Sequence, residues 1–268
     1  MRIAFLLTRR VPDVPSPVLL EVSRLLERRG HRVDGWIPEE RLDRADTQQP
    51  DADLYVLKSH TELALSVAGL LHDRGAALLN PYPACLAAQD KITAAGRLRA
   101  AGVPTAETWV TGDLRLVAPL LEDGPLIVKP HRGHRGAGVH LVRTAAELAA
   151  LPVPSVPVVV QRYIPGPGED LKVYVVADEV FAVRKPFAAD SFSRPGRPVP
   201  VTSAVREAAL QTRAAFGLDL FGVDVIESPD GPVIVDVNYF PGYKGVPDVA
   251  PRIAAVIGSH LTAAALVS

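Results

Sequence analysis

Apolar positions in this chain change their spacing as the sequence proceeds. Over roughly the first 85 residues, short apolar runs alternate with stretches in which apolar residues recur every three to four positions. "MRIAFLL" reads as a buried first strand, and "SPVLLEVSRLLERRGHRV" as an amphipathic helix capped by Ser16 with Pro17 at its first position. "HRVDGWI" and "DLYVLK" read as further strands, and "TELALSVAGLLHDRGAALLN" as a helix and a strand. Strands alternating with helices predict a parallel α/β layer. "PACLAAQDKITAAGRLRAAGVPTAETWV" predicts one helix stopping at Gly102, a proline-containing turn and a strand. From residue 125 onward strands dominate: 125–129, 139–143, 157–164, 171–177, 180–185, 221–227 and 232–238. Helices are expected near 144–150 and 202–216, and a last one in "VAPRIAAVIGSHLTAAALVS". "PVPSVP" (152–157) and "PGRPVP" (195–200) read as proline-rich connectors at subdomain boundaries.

Composition narrows the function classes. With 268 residues, 48% of them hydrophobic, the chain can bury a large core divided among two or three subdomains. No apolar run approaches the ~20 residues of a membrane span. The opening residues lack the parts of a signal peptide, and the one cysteine, Cys85, excludes an internal disulfide. A cytoplasmic location is the expectation. A net charge of −1 offers no field to draw nucleic acid. Of 29 cationic side chains only six are lysines: Lys58, Lys91, Lys129, Lys172, Lys185 and Lys244. A compact ammonium on a flexible stem suits the capping of a phosphate, so these six are candidates to test against motifs.

Three stretches carry chemistry. "PLIVKPHRGHRGAGVHLV" (125–142) is a strand ending in Lys129, a loop with Gly133, Gly136 and Gly138, and a returning strand. Glycines so spaced let backbone N–H groups converge on an anion and let the loop move; an ordinary glycine-rich hairpin is the plainer alternative. "VVVQRYIPGPGEDLKVYVV" (158–176) offers an extended Gln161-Arg162-Tyr163-Ile164 for an adenine edge, with Glu169 and Asp170 placed for ribose hydroxyls; a hairpin with an acidic turn reads equally well. "LFGVDVIESPDGPVIVDVNYFPGY" (220–243) sets Asp224 in one apolar strand, and Asp236 and Asn238 on one face of the next. Carboxylates in apolar strands require a partner. This all-oxygen set suits Mg²⁺; the alternative is an acid pair neutralised by Arg184 or Lys185.

Together these stretches resemble the ATP-grasp superfamily from about Asn80 to the C-terminus. "DKITAAGRLRAAGVPTAETW" resembles its first lysine segment, "IVKPHRGHRGAGV" its flap, "VQRYI" its adenine hinge and "GVDV…VDVN" its metal strands. Gln161 and Asp236 stand where glutamate is commoner. The resemblance implies an α/β fold of three subdomains: an N-terminal α/β layer (1–85), a central subdomain with the flap (86–156), and a C-terminal subdomain with the metal site (157–268), the last two clamping ATP. It implies ATP held by Lys91, Lys129, Gly133, His134, Gly136, Gly138 and the 161–164 segment, with Glu169 and Asp170. It implies Mg²⁺, two ions, on Asp224, Asp236 and Asn238, and Arg184 or Lys172 neutralising the transferred group. Dimers are common in the superfamily, so a homodimer is a further expectation.

Two branches compete for the activity. The flap is similar to that of the ribosomal-protein glutamate ligases, which phosphorylate a carboxylate and let an amine displace the phosphate. "LKVYVVADEVFAVRKPFAADSFS", "VDVNYFPGYKGV" and "LKSHTE" are similar to the inositol polyphosphate kinases. That likeness nominates Lys58, Lys185, Arg194, Tyr243 and Lys244 for the acceptor. The expected activity is a carboxylate–amine ligase acting on a small molecule or peptide. A kinase is the runner-up, and a non-catalytic ATP-binding regulator the third reading.

Overall fold

The structure is a computed structural model and describes residues 1–9, 16–133, 136–186 and 195–266. Its first layer holds β1 (Arg2–Leu6), α1 (Pro17–Arg28), β2 (Arg32–Trp36), β3 (Leu54–Leu57), α2 (Glu62–Asp73) and β4 (Leu78–Leu79). The strands form one parallel sheet in the order β2-β1-β3-β4, as the alternation of apolar runs and helices predicts. Pro17 opens α1, although the Ser16 hydroxyl makes no capping hydrogen bond. Thr61 does cap α2, accepting from the Ala64 N–H.

The helix expected to run unbroken to Gly102 is two helices, α3 (Tyr82–Gln89) and α4 (Lys91–Ala100). Asp90 between them is extended, and its carboxylate accepts from the N–H groups of Ile92 and Thr93. An aspartate at this point satisfies the free donors of a new helix start better than it serves a helix interior. The break puts Lys91 at the first position of α4, where its N–H reaches the His131 carbonyl at the base of the glycine loop.

Next come β5 (Thr108–Thr111), β6 (Leu126–Pro130), β7 (His140–Val142), α5 (Ala145–Ala149) and β8 (Val158–Arg162). They make an antiparallel sheet ordered β5-β8-β6-β7. A 3₁₀ helix at Leu114–Asp123, which the sequence pattern did not announce, covers one face. Because β8 lies between β5 and β6, this sheet runs past residue 156 to Arg162, and a boundary at 156/157 would cut ahead of its central strand. It encloses its own small core around Val117, Leu126, Val128, Val142, Leu148 and Val160.

The third sheet is built from β9 (Glu169–Val176), β10 (Glu179–Pro186), β11 (Arg197–Val199), β12 (Leu220–Ser228) and β13 (Gly231–Tyr239), with α6 (Ser203–Phe216) and α7 (Val249–Ala265). Its order is β11-β10-β9-β12-β13. Residues 195–200, expected as a connector, thus supply an edge strand, a place where proline is tolerated because one side of the strand needs no ladder donor. The N-terminal and C-terminal layers share one continuous core. Asn80 fastens them: wholly buried, it donates to the Leu220 carbonyl (2.7 Å) and accepts from the N–H groups of Asp219 and Leu220.

Candidate active site

Partners directly opposite in an antiparallel ladder share a face. Asp224 on β12 stands opposite Lys172 on β9 and Asp236 on β13, and Asn238 stands opposite Gly222. Lys185 on β10 stands opposite Asp170, two residues from Lys172. One face of the sheet therefore gathers Asp170, Lys172, Lys185, Asp224, Asp236 and Asn238. A bulge in the β12–β13 ladder makes this possible: the pairing slips after Asp224, leaving Val235 without a partner. The extra residue sends Ile234 into the core while Asp236 faces the site.

The carboxylates on this face meet ammonium groups. Lys172 Nζ lies 2.6 Å from both Asp170 and Asp224, and Lys91 Nζ lies 3.3 Å from Asp236. Burial pushes the Asp224 carboxyl up to about 6, against the pull of Lys172 and with the charges of Asp170 and Asp236 adding to the rise. Lys172 in turn is held above its ordinary value, its two carboxylate partners outweighing burial. An acidic pair neutralised by Arg184 or Lys185 is thus replaced by one neutralised by Lys172 and Lys91.

The central sheet contributes the opposing wall. Lys129, only 7% exposed, extends from β6 and donates to the Val235 carbonyl at the bulge (3.0 Å). Burial lowers its ammonium below the usual value, while Asp236 and Asp224 pull it back up. Gln161 on β8 lies opposite Ile127 and so shares the face of Lys129; it is buried and donates to the Thr108 hydroxyl. Arg162 faces the other way. Its guanidinium donates to the carbonyls of Leu120 and Gly124 and lies over Trp109, so its side chain holds the central subdomain together. The Tyr163 N–H is taken by the Pro125 carbonyl; Tyr163 is exposed at the strand's end and Ile164 is half-buried.

The glycine loop leaves β6 after Pro130 and rejoins the sheet at His140 in β7. Lys91 Nζ donates to the Gly133 carbonyl (3.2 Å), and Arg132 lies within 3.6 Å of Asp90 and 3.5 Å of Glu62. Gly136 and Gly138 adopt positive φ (73° and 70°), the conformation that glycine reaches without strain. His134 and Arg194 lie outside the described residues.

Several expected residues are elsewhere. Arg184 stands opposite Leu171, on the reverse face of the sheet, and pairs with Glu227 (2.7 Å) and Glu169 (3.6 Å). There it borders a cavity of about 290 Å³ with Arg197 and Thr202. Alternation along β9 and β10 separates Arg184 and Glu169 from Lys172, Lys185 and Asp170; neither reaches the carboxylate face. Tyr243 is buried under the β13 loop, its hydroxyl donating to the Val175 carbonyl and its ring packed on Tyr174, which makes it a packing residue. Lys58 lies over the Phe240 ring, 5.5 Å from its centre. Lys244 is near enough to Lys185 for its charge, after burial and Lys172, to help lower the Lys185 ammonium. The sequence pattern did not single out Asp90 or the Val235 carbonyl; an acidic residue just before a lysine at a helix start was the available signal for the first.

A family model for the RimK-like ATP-grasp domain matches residues 88–257. The chain belongs to the RimK-like ATP-grasp family. A probable alpha-L-glutamate ligase of Xanthomonas euvesicatoria is 34% identical over 220 residues, 76% of this chain and 74% of that protein. One from an Enterobacter species is 30% identical over 204 residues, 69% of this chain and 68% of that protein. Among solved structures, a RimK-domain ATP-grasp protein from Sphaerobacter thermophilus superposes with a TM-score of 0.77 at 20% identity, covering 96% of this chain and 99% of its own. The D-alanine–D-alanine ligase of Bacillus anthracis, solved with ATP, gives 0.70 at 21% identity, covering 99% and 96%. The ATP-grasp ligase PsnB, solved with Mg and ADP, gives 0.67 at 20%, covering 97% and 96%. These structures share the ATP-grasp fold with this RimK-like chain. The chain is accordingly an ATP-dependent carboxylate–amine ligase, and the kinase reading gives way to it. None of the described helices is long and apolar enough to cross a membrane.

ATP-grasp ligases use ATP with Mg²⁺, and the residues present fit that cation. Among the described residues no three His, Cys, Asp or Glu side chains cluster as a self-sufficient metal cage. Asp224 and Asp236 stand opposite each other in the ladder with Asn238 on the same face, a donor set made only of oxygens. Mg²⁺ favours such a set because it keeps waters and takes phosphate oxygens.

Proposed function

We propose that this ligase joins an amine to a carboxylate that it first phosphorylates from ATP, in the cleft between the β6–β8 wall and the β9–β12–β13 face. The observation that carries this reading is the convergence of Lys91 and Lys129, from separate elements, on Asp236 and the Val235 carbonyl of the same strand. In the proposal Lys91, Lys129 and the backbone of Gly133, Gly136 and Gly138 hold the phosphates. The backbone from Gln161 to Ile164 receives the adenine, and Asp170 the ribose. Asp224, Asp236 and Asn238 hold two Mg²⁺ ions, which neutralise phosphate charge. Lys172 and Lys185 draw off the charge that develops on the transferred group, catalysis being chiefly positioning and electrostatics.

The balance is simple. A substrate carboxylate oxygen attacks the γ-phosphorus and ADP leaves; the amine nitrogen then attacks the acyl carbon, the C–N bond forms, phosphate leaves and the amine loses a proton. In the proposal Lys58 and Lys244 serve the acceptor. The relatives' name, alpha-L-glutamate ligase, makes L-glutamate the first substrate to supply. A homodimer and a cytoplasmic location complete the proposal.

Hydroxylamine tests it, because it intercepts an acyl phosphate as a stable hydroxamate. With ATP, Mg²⁺ and L-glutamate or glutamate-ended peptides, the wild type should form hydroxamate in step with ADP, and Asp224→Asn should not. ADP released from a panel of carboxylates without any hydroxamate would overturn the acyl-phosphate step.

A further inference from the structure

The two carboxylates assigned to the cation are both already occupied, and by lysines. Lys172 Nζ bridges Asp170 and Asp224 at 2.6 Å, and Lys91 Nζ sits 3.3 Å from Asp236. The second contact has a further property. The Lys91 side chain is 13% exposed, and the same nitrogen donates to the carbonyl of Gly133, where the glycine loop begins. The Lys91 backbone N–H is fixed to the His131 carbonyl of that loop, and Asp90 beside it faces Arg132. Lys91 therefore joins the loop to a cation ligand. A divalent ion arriving alone at Asp236 meets an ammonium group already in place, and like charges this close repel. When phosphates are present, Lys91 has another anion within the swing of its four-carbon stem and can leave Asp236 without losing a partner.

We propose that Lys91 gates the cation site: it neutralises Asp236 while the cleft is empty and yields that carboxylate only when phosphates replace it. Divalent cation and ATP then bind together much better than either binds alone. The inference rests on the assignment of Asp236 to the cation made above, and goes beyond it by giving the phosphate lysine a second role against that cation.

The two roles of Lys91 predict opposite changes in one variant. Mn²⁺ binding is measured in nucleotide-free protein by the electron paramagnetic resonance signal of the free ion, and a non-hydrolysable ATP analogue is titrated with and without Mn²⁺. Lys91→Met should bind Mn²⁺ alone about tenfold more tightly than wild type, within the usual span of coupling between sites. It should bind the analogue more weakly and lose most of the mutual enhancement. Lys91→Arg should keep the weak Mn²⁺ binding of the wild type, and Asp236→Asn should lose Mn²⁺. Unchanged or weaker Mn²⁺ binding in Lys91→Met, with Asp236→Asn still defective, overturns the gate and leaves the cation assignment standing. Mn²⁺ binding undiminished in Asp236→Asn overturns the assignment, and the gate with it. Should the methionine variant fail to fold, Lys91→Gln carries the same expectation and the same refutation.

Discussion

Replacing Lys129 with methionine separates its role in binding from its role in folding. The side chain is 7% exposed and its ammonium donates to the Val235 carbonyl at 3.0 Å. Methionine keeps most of the volume and removes the charge. For folding, two terms oppose. The Val235 carbonyl loses a donor, at about 1–3 kcal/mol for a buried group left unpaired. Against this, the chain no longer buries an ammonium whose pKa burial has already lowered. The net change should stay within about 1.5 kcal/mol, or a few degrees of melting temperature for a chain of this size. For binding, nothing offsets the loss. A hydrogen bond to a charged group contributes about 1.5–3 kcal/mol. Unscreened attraction to a phosphate about 4 Å away caps the effect near 4 kcal/mol at the effective dielectric of a protein surface. ATP affinity should therefore fall by about 10- to 1,000-fold. Calorimetric titration with a non-hydrolysable analogue and Mg²⁺, beside a thermal melt, reads both numbers. An affinity within threefold of wild type, in a variant that melts normally, would refute the assignment of Lys129 to phosphate.

The reverse-face position of Arg184 predicts that Arg184→Gln retains turnover within about threefold, whereas Lys172→Met loses at least about 100-fold, the usual size of one preorganised charge contact; steady-state ADP release compares them. Asn80→Ala leaves the N–H groups of Asp219 and Leu220 without their acceptor, while the Leu220 carbonyl keeps the Phe240 N–H, and should destabilise by about 2–4 kcal/mol, read as a lower denaturation midpoint. Asp219 titrates below its ordinary 3.8, first because His260 lies 2.8 Å from its carboxylate and then through Arg213. A depressed folded pKa adds stability above the unfolded value and loses it as pH falls through the folded one. Melting temperature should thus drop more steeply below about pH 4 in the wild type than in Asp219→Asn.

The parts of the fold written in periodicity could be read in advance, and the parts that depend on register could not. Apolar runs placed β1 to β4 and the long β12–β13 hairpin within a residue or two, and glycine spacing marked the loop after Lys129. The choice between Arg184 and Lys185 turns on which face of β10 each occupies, and only the pairing of Lys185 with Asp170 decides it. The bulge at Val235 is likewise invisible in "PVIVDVN", because one extra residue reverses the alternation on which a strand reading depends. The likeness of "VDVNYFPGYKGV" to the inositol polyphosphate kinases nominates Tyr243 as a substrate contact, yet the side chain is buried with its hydroxyl on the Val175 carbonyl. Arg162 looked like part of the adenine strand, yet its side chain turns to the small core behind, on the carbonyls of Leu120 and Gly124. Chemistry at the level of the family was legible in lysine and aspartate spacing; the assignment of each charge to its partner required the sheets.

The central claim is tested most directly by the fate of the γ-phosphate. Purified chain is supplied with ATP, Mg²⁺, L-glutamate and a panel of peptides and amino acids, and the products are read by mass spectrometry beside a free-phosphate assay. The account predicts ADP and inorganic phosphate in equal amounts, with a product equal to two substrates less one water. A product one phosphoryl group heavier than a substrate, with ADP and no free phosphate, would contradict it.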